Sequence, residues 1–550
     1  TGGDCLGTNI DEELASAYNY YFKSTKYAVE TKNYDGFYQY NYSPIGVYRR
    51  NNWVATMRAP TTKFFGAEIY SGANRFGRYQ SHGSLEIMYD GNLAASGYPT
   101  NGTGGGWDWN VVPGATTVHY TSWQEMMPNK NTTDRFDQYT KTKNFAGALS
   151  FGDGGIFACD FDQIDTWGNQ RFTPTNLVFK KSVFAFENML ISLGSNISSS
   201  GSYDNSMITA TNLFQNIISS SSGSMLLNGN TVSNPTSISV STETNNWLIT
   251  PQGTGYYIPA GNDVIEIRYG SQTTPKESGA DYSSPTTTST AAKAYLNHGV
   301  KPSNKSYAFV VIPGTNKSQM ETLADQITAN AIFQIQAQNS TLHAITYKPL
   351  NITAYSFFTG TSNLNFGIVK ACTDEILLID KIDPQTERHY FAVCDPNMRP
   401  ENNTTYSWLP TSTQTTLTLR GEWKMTEPVE NVQIMEPANG ETQIMIKMNE
   451  GNPVYFGITT KSDTTALKQV DKNDFFLFTG NSENIYLFFP EINKGLRNLR
   501  IFSVGGQIIF QQNISTSVQH VTIPVRHLPQ GVYFCSVNDG EQSKVIKWIK

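Results

Sequence analysis

The stretch "AEIYSGANRFGRYQSHGS", residues 67–84, gathers Glu68, Asn74, Arg75, Arg78, Tyr79 and His82. Guanidinium, amide and imidazole groups donate well to carboxylate and sulfate. An acid beside an imidazole can also move protons, but no convincing base–acid pair stands out in this spacing. A second segment, "GGGWDWNVVPGATTVHY" at 104–120, sets Trp107 and Trp109 on either side of Asp108, with a Pro-Gly turn and His119 after them. Indoles in a Gly-rich loop are costly to expose unless something stacks on them, and sugar rings stack well. The opposing reading packs both tryptophans in a core and pairs the charges among themselves. The residue types alone leave the two readings open. Arg75 and Arg78 equally suit pairing with acids at a domain border, and a lone His119 after a turn equally suits a structural role.

Other catalytic signatures are missing. The sequence has no HExxH, GxSxG elbow, phosphate-binding loop or EF-hand loop. "GTGGGWD" lacks a strand-to-helix setting, so it is expected to be a tight loop rather than a phosphate cradle. "CDFDQID" offers Asp160, Asp162 and Asp165 as Ca²⁺ ligands. A strand end with solvated carboxylates is the preferred reading, and no cofactor is expected.

The elements that must position these groups are mostly strands. "NIDEELASAYNYYF" (9–22) reads as a short helix capped by Thr8 or Asn9. "IGVYRRNNWVATMRA" reads as a hairpin turning at Asn51-Asn52, and "SLEIMYD" alternates Leu85, Ile87 and Tyr89 against Glu86, Met88 and Asp90. Similar short runs recur to about residue 310, the pattern of a large antiparallel sandwich. One helix interrupts them. "SQMETLADQITAN" spaces Met320, Leu323, Ala324 and Ile327 at i, i+3, i+4, i+7, with Ser318 and Glu321 expected as a capping box. Strands resume over 332–460. The polar stretch 270–293 is expected to be a long exposed loop. A composition boundary falls near 461–480.

The 550 residues are too many for one core. Charged residues make up only 16 % and aromatics 12 %, with 29 Tyr and 30 Phe, the balance of an extracellular β-rich protein. The net charge of −6 is interspersed, and no dense Lys/Arg cluster suits a phosphate backbone, so nucleic acid is not an expected partner. A local basic cleft for a polyanionic substrate is compatible with that surface. The five cysteines include no CxxC; Cys372 and Cys394 are expected to be buried thiols rather than a pair. No apolar run approaches the ~20 residues of a membrane helix. The chain opens on Thr1, without a signal peptide, and is expected to be a fragment or a processed chain.

Two resemblances follow from these motifs. The strand before "GGQ", the "LPQGVYF" element and the Lys-bearing last strand resemble the C-terminal sorting domain of Bacteroidetes cargo for the type IX secretion system. That implies a secreted or cell-surface protein and the secretion machinery as partner. The 67–84 and 106–120 motifs, with "FKKSVFAFENMLISLGSNI", "NWLITPQGTGYYI" and "LHAITYKPLNITAYSFF", are similar to the C-terminal β half of polysaccharide lyase family 8, most nearly the chondroitin sulfate ABC lyases. The resemblance spans about residues 22–420.

The resemblance implies cleavage of uronic-acid glycosides by β-elimination. In the family a His, a Tyr and an Arg on a preceding α/α-toroid do the chemistry, and a Glu of the β half holds that Arg. Here the Glu falls on Glu68, while the three toroid groups have no counterpart. The resemblance therefore implies a mainly β chain: residues 1–22 as the end of a helical domain or linker, 23–330 as a super-sandwich, 331–460 as a second β domain and 461–550 as the sorting domain. Its expected partners are an acidic glycosaminoglycan and the toroid of the same enzyme, and alone it is expected to be inactive. Asn74, Arg75, Arg78 and His82 are expected polar contacts or braces for the Glu68 loop. Trp107 and Trp109 are expected stacking surfaces, and His119 a further contact. The alternative is a non-catalytic glycan-binding or structural module.

Overall fold

Strand Gly154–Asp162, GGIFACDFD, shows how the molecule is built, because every one of its nine residues is buried. Phe157, Cys159 and Phe161 enter one apolar core, while Ile156 and Ala158 enter another on the opposite face. A strand buried on both faces reads as a continuous apolar run instead of an alternation. The computed structural model describes residues 35–69, 76–99, 105–126, 136–137, 140–163, 175–275, 286–397 and 412–461. In the C-terminal part it describes 476–479, 484–489, 496–503, 506–515, 518, 520–529, 531–538 and 543–550. The expected helix at 9–22 lies outside these residues.

From Gly36 to Lys550 the chain is one compact unit. Its centre is a nine-stranded antiparallel sheet, ordered from Asn230–Thr231 at one edge to Ala146–Phe151 at the other. One face packs on a five-stranded sheet, whose order is Thr236–Val240, Ile265–Pro275, Thr286–Gly299, Thr209–Ile217 and Thr116–Val118. Leu190 and Val311 of the first sheet meet Leu213, Ile265 and Ile267 of the second in that core. The small sheet beginning at Gly36–Tyr40 adds Phe37, Tyr48 and Trp53 to it. The other face packs on helix Lys317–Thr328 and on a seven-stranded sheet that begins at Phe333–Gln338. A third core lies between that sheet and four further strands, from Val369–Cys372 to Glu441–Asn449. The C-terminal sheets close around a core of their own that includes Leu487, Ile501, Ile523 and Trp548.

The expected hairpin forms between Ile45–Arg50 and Trp53–Arg58, with Asn51 in the left-handed region at φ 49°. Asn tolerates that conformation at low cost. Ser84–Tyr89 forms the expected half-buried strand. Two expectations are corrected. The helix starts at Lys317, and its capping box is Asn316 with Gln319, two residues before the Ser318/Glu321 pair. Asn is as good an N-cap as Ser, and the first usable one sets the start. Within the stretch 270–293, residues 270–275 and 286–293 are paired strand rather than loop, and 276–285 lie outside the described residues. Ile265–Pro275 and Thr286–Gly299 run as one long ladder from Ile265↔Leu296 to Pro275↔Thr286. Threonine favours strands for the same β-branching that makes it poor in helices. Cross-strand hydroxyls such as Thr273 and Thr288, 2.7 Å apart, replace apolar pairs on this ladder.

Candidate functional site

Glu68 opens a two-residue strand, Glu68–Ile69, paired with Phe136–Asp137 in the register Glu68↔Asp137. The stretch 67–84 then reappears as a 3₁₀ turn, Gly77–Tyr79, before the Ser84 strand. Asn74 and Arg75 lie outside the described residues. Arg78 is fully buried. Its guanidinium stands 5.3 Å from the Tyr120 ring centre and 5.9 Å from that of Tyr79. Tyr79 donates its hydroxyl to the Val118 carbonyl at 2.6 Å. His82 is equally buried, its ring 4.6 Å from Phe161 and 4.9 Å from Tyr79. Tyr79 thus binds the stretch to the strand carrying Val118, Arg78 packs on Tyr120 just beyond it, and His82 packs on Phe161 of the central sheet.

Lys181, which sequence reasoning passed over, locks the end of the stretch. Its buried ammonium donates to the carbonyls of Gly83 and Gly114, each at 2.6 Å. Burial lowers its pKa to about 7, opposed by Cys159. Gly83 and Gly114 both have positive φ, and a Cβ on Gly114 would meet the Leu85 nitrogen at 2.4 Å. The Pro-Gly turn therefore presses directly on the Ser84 strand, with Lys181 joining the two.

The tryptophans are packed. Trp107 is 6 % exposed and stacks on Tyr98 at 5.5 Å; Trp109 is 8 % exposed and stacks on Phe76 at 6.0 Å. Trp109 also donates its indole N–H to the Pro275 carbonyl at 3.1 Å. Together with Phe76, Tyr79 and Tyr120 they form a small core, which leaves almost no indole face for a sugar ring. A buried indole with its N–H satisfied is the cheaper state.

Asp108, between them, is the group with chemistry. Its Oδ2 accepts from the Lys293 ammonium at 2.5 Å and its Oδ1 from the Asn110 N–H at 3.0 Å. Burial pushes its pKa up, but Lys293, His119 and these hydrogen bonds outweigh it and hold the carboxyl below its ordinary value. His119 faces Asn212 Oδ1 through Nε2 at 3.0 Å and meets the edge of Tyr295 at 4.8 Å. Asn212 spends its amide N–H groups on Asn110 O and Thr117 Oγ1, so His119 Nε2 is assigned as the donor. Burial lowers the pKa of His119 to about 4 against the pull of Asp108, so the ring is neutral at neutral pH. Lys293 lies in the stretch read from sequence as loop, 185 positions from its partner. No local signal marks such a pair.

The acidic run is engaged rather than solvated. Asp160 pairs with Lys180 at 2.5 Å and Lys143 at 3.3 Å. Asp162 accepts from the Lys141 and Thr142 N–H groups and the Thr142 hydroxyl. Both carboxylates are buried, and a buried carboxylate keeps its charge only with such partners. Asp165 lies outside the described residues. Among the described residues no group of three or more His, Cys, Asp or Glu is placed to hold a metal. Cys372 and Cys394 are buried free thiols on different sheets.

The stacked antiparallel sheets, sharing the doubly buried Gly154–Asp162 strand, define a β super-sandwich. Residues 35–324 match the super-sandwich domain of polysaccharide lyase family 8, and residues 481–550 match a secretion system C-terminal sorting domain. The chain is 28 % identical over 425 residues to the chondroitin sulfate ABC endolyase of Proteus vulgaris, covering 77 % of this chain and 38 % of the relative. It is 25 % identical over 419 residues to the chondroitin sulfate ABC exolyase of Bacteroides thetaiotaomicron, covering 70 % and 38 %. Among solved structures, Paenibacillus xanthan lyase superposes with a TM-score of 0.64 at 15 % identity, over 97 % of this chain and 51 % of that one. A chondroitinase AC lyase gives 0.59 at 20 % identity, over 81 % and 57 %.

The family match covers more than half of the chain, which therefore belongs to polysaccharide lyase family 8. It spans 38 % of the length of these curated relatives. Its sorting domain marks it for secretion or display at the cell surface.

Proposed function

We propose that this chain is the C-terminal β part of a glycosaminoglycan lyase that cleaves chondroitin or dermatan sulfate, or hyaluronan, by β-elimination at uronic acid. The observation that supports it most is the family match over residues 35–324, joined to two relatives that are named chondroitin sulfate ABC lyases. The reaction needs the uronate carboxylate neutralised, a base for the C5 proton and an acid for the departing oxygen. In this reading those groups are a His, a Tyr and an Arg on a preceding helical toroid. Glu68 acts as a positioning residue that pairs with the toroid Arg, and residues 74–82 form the wall behind it. Residues 1–22 form the link to the toroid, 23–330 the sandwich that meets it, 331–460 a second β domain and 461–550 the export signal.

The test compares the chain alone with the chain joined to its toroid, by the ultraviolet absorbance of the unsaturated uronate. The chain alone is expected to give no turnover, and the joined form robust turnover. Glu68→Gln in the joined form is expected to lower kcat about 100-fold, the cost of a misplaced catalytic group. It should leave KM near its starting value. Turnover by the chain alone, or an unaffected Glu68→Gln, sinks the reading. The fully buried Arg78 and His82 fit a second reading, a binding or structural module. That reading predicts oligosaccharide binding without turnover in both forms.

A further inference from the structure

The outer face of the five-stranded sheet carries an open groove of about 670 Å³, within the ~300–1,000 Å³ range of ligand sites. Its floor exists because two small residues, Gly270 and Ala291, stand opposite each other in the ladder. The next pair, Arg268↔Lys293, forms one wall, which Tyr295 extends, and Gln272 borders the far side of the floor. Two cations directly opposite on one face repel, so such pairs need compensation. Each has one acid here. Arg268 Nη2 donates to Glu266 at 2.8 Å, and Lys293 to Asp108 at 2.5 Å. The wall is therefore neutral overall, two cations against two carboxylates, yet it keeps unused donors. Lys293 has three N–H groups and gives one to Asp108. Arg268 gives Nη1 hydrogens to the Ile238 and Ile267 carbonyls and keeps about a third of its side chain exposed.

Glycine-loop residues hold the wall from behind. Gln272 donates to the Gly106 carbonyl at 2.6 Å and to Gln215 Oε1 at 2.7 Å, while Asp108 fixes Lys293. Immobilised donors around a pre-shaped floor lower the ordering cost of binding. A dense polyphosphate gains little from a wall of zero net charge. A chain carrying single carboxylate or sulfate groups among hydroxyls fits better, with the phenol ring of Tyr295 as a flat surface beside the wall.

We propose that this groove is a binding site for an anionic oligosaccharide. Its anion sits between Arg268 and Lys293, and its sugar ring lies over Gly270 and Ala291. Choosing a glycosaminoglycan as the occupant rests on the proposed lyase reading; the preference for a singly charged saccharide over polyphosphate does not.

The experiment measures a chondroitin sulfate hexasaccharide binding to the full chain by calorimetry, with tripolyphosphate as competitor. Gly270→Leu fills the floor without strain, since a Cβ there meets only Asn234 and Pro235 atoms at 3.7 Å. It is expected to weaken binding at least about tenfold with an unchanged unfolding temperature. Arg268→Gln, on a partly exposed side chain, is the second variant; it should weaken binding several-fold and flatten the salt dependence. Tripolyphosphate should fail to displace the sugar. No binding by the parent chain, equal affinity in both variants, or displacement by tripolyphosphate overturns the groove. If both variants lose binding while the toroid-joined form shows no turnover, the groove stands and the lyase reading fails. If turnover is present and both variants bind as well as the parent, the groove alone fails.

Discussion

Two regions of this molecule exchange the roles that their sequences suggest. The segment 76–120 carries Arg78, His82, Trp107 and Trp109, and these are packed inward: Arg78 and His82 have no exposed surface and the indoles almost none. The ladder 265–299, which reads as Thr-rich filler, presents a shaped and charged outer face. Chemical density in a sequence counts groups; it does not say which face of the sheet they occupy. In the first region the polar side chains brace turns against a strand. In the second, a strand's period of two puts Arg268, Gly270 and Gln272 on one face, and the register aligns them with Lys293, Ala291 and Ser289.

The largest break in this comparison is expected from Trp109→Ala. A buried indole stacked on Phe76 and hydrogen-bonded to Pro275 is core, and its loss is expected to cost about 3–5 kcal/mol in urea unfolding. Oligosaccharide affinity of the protein that remains folded should not change. A stable Trp109→Ala chain with lost sugar binding would return the indoles to a stacking role.

Lys181→Met is the next step down. It leaves the Gly83 and Gly114 carbonyls without their donor, which is expected to cost about 1–3 kcal/mol. Faster hydrogen exchange at the N–H groups of Leu85 and Thr116, which bond to Pro113 and His82, should accompany it. Unchanged exchange there would show that Lys181 does not join turn to strand.

Acid should act on both regions at once. Burial depresses His119 to about 4 and His343 to about 3, and it lowers His298 despite the pull of Asp263. The His119 and His343 rings stay neutral in the folded chain over this range, whereas the unfolded chain binds protons below the ordinary histidine value of about 6.5. Stability therefore falls as pH drops from about 6.5 towards 4, by up to about 1.4 kcal/mol per pH unit for each histidine. Urea midpoints at several pH values measure it. His343 sits between the Ser182 and Ser195 hydroxyls, 2.9 and 2.8 Å away, so His343→Gln should flatten the slope.

Much of the fold was legible because it rests on local rules. The Asn51-Asn52 hairpin, the Ser84–Tyr89 alternation and the 317–328 helix each follow from neighbours a few positions apart. The helix start slipped by two residues because Asn316 caps as well as Ser318 would. The families were legible from long motifs. The groove was not, since Lys293 and Asp108, or Gln272 and Gly106, meet only through tertiary pairing. Nor did composition reveal that a Thr-rich run was ladder, because hydroxyl pairs satisfy a strand as well as apolar ones do on a wet face.

The smallest expected effect tests that last point. Thr288→Val removes an exposed hydroxyl from the pair with Thr273 while keeping the β-branched shape. Thr273 can turn to water, so no buried group is orphaned. Valine's strand preference offsets the lost hydrogen bond, and the net change is expected to stay within about 0.5 kcal/mol. Beside Trp109→Ala, it measures the contrast directly: an exposed rung of the ladder, on the face opposite the groove, that can vary at little cost to the fold, and a chemically rich segment that cannot. A loss of more than about 1.5 kcal/mol, beyond one typical hydrogen bond, would mean that the ladder depends on its hydroxyl pairs for structure. The ladder would then be as constrained as the packed segment, and the two regions would differ in what they display but not in how freely they can change.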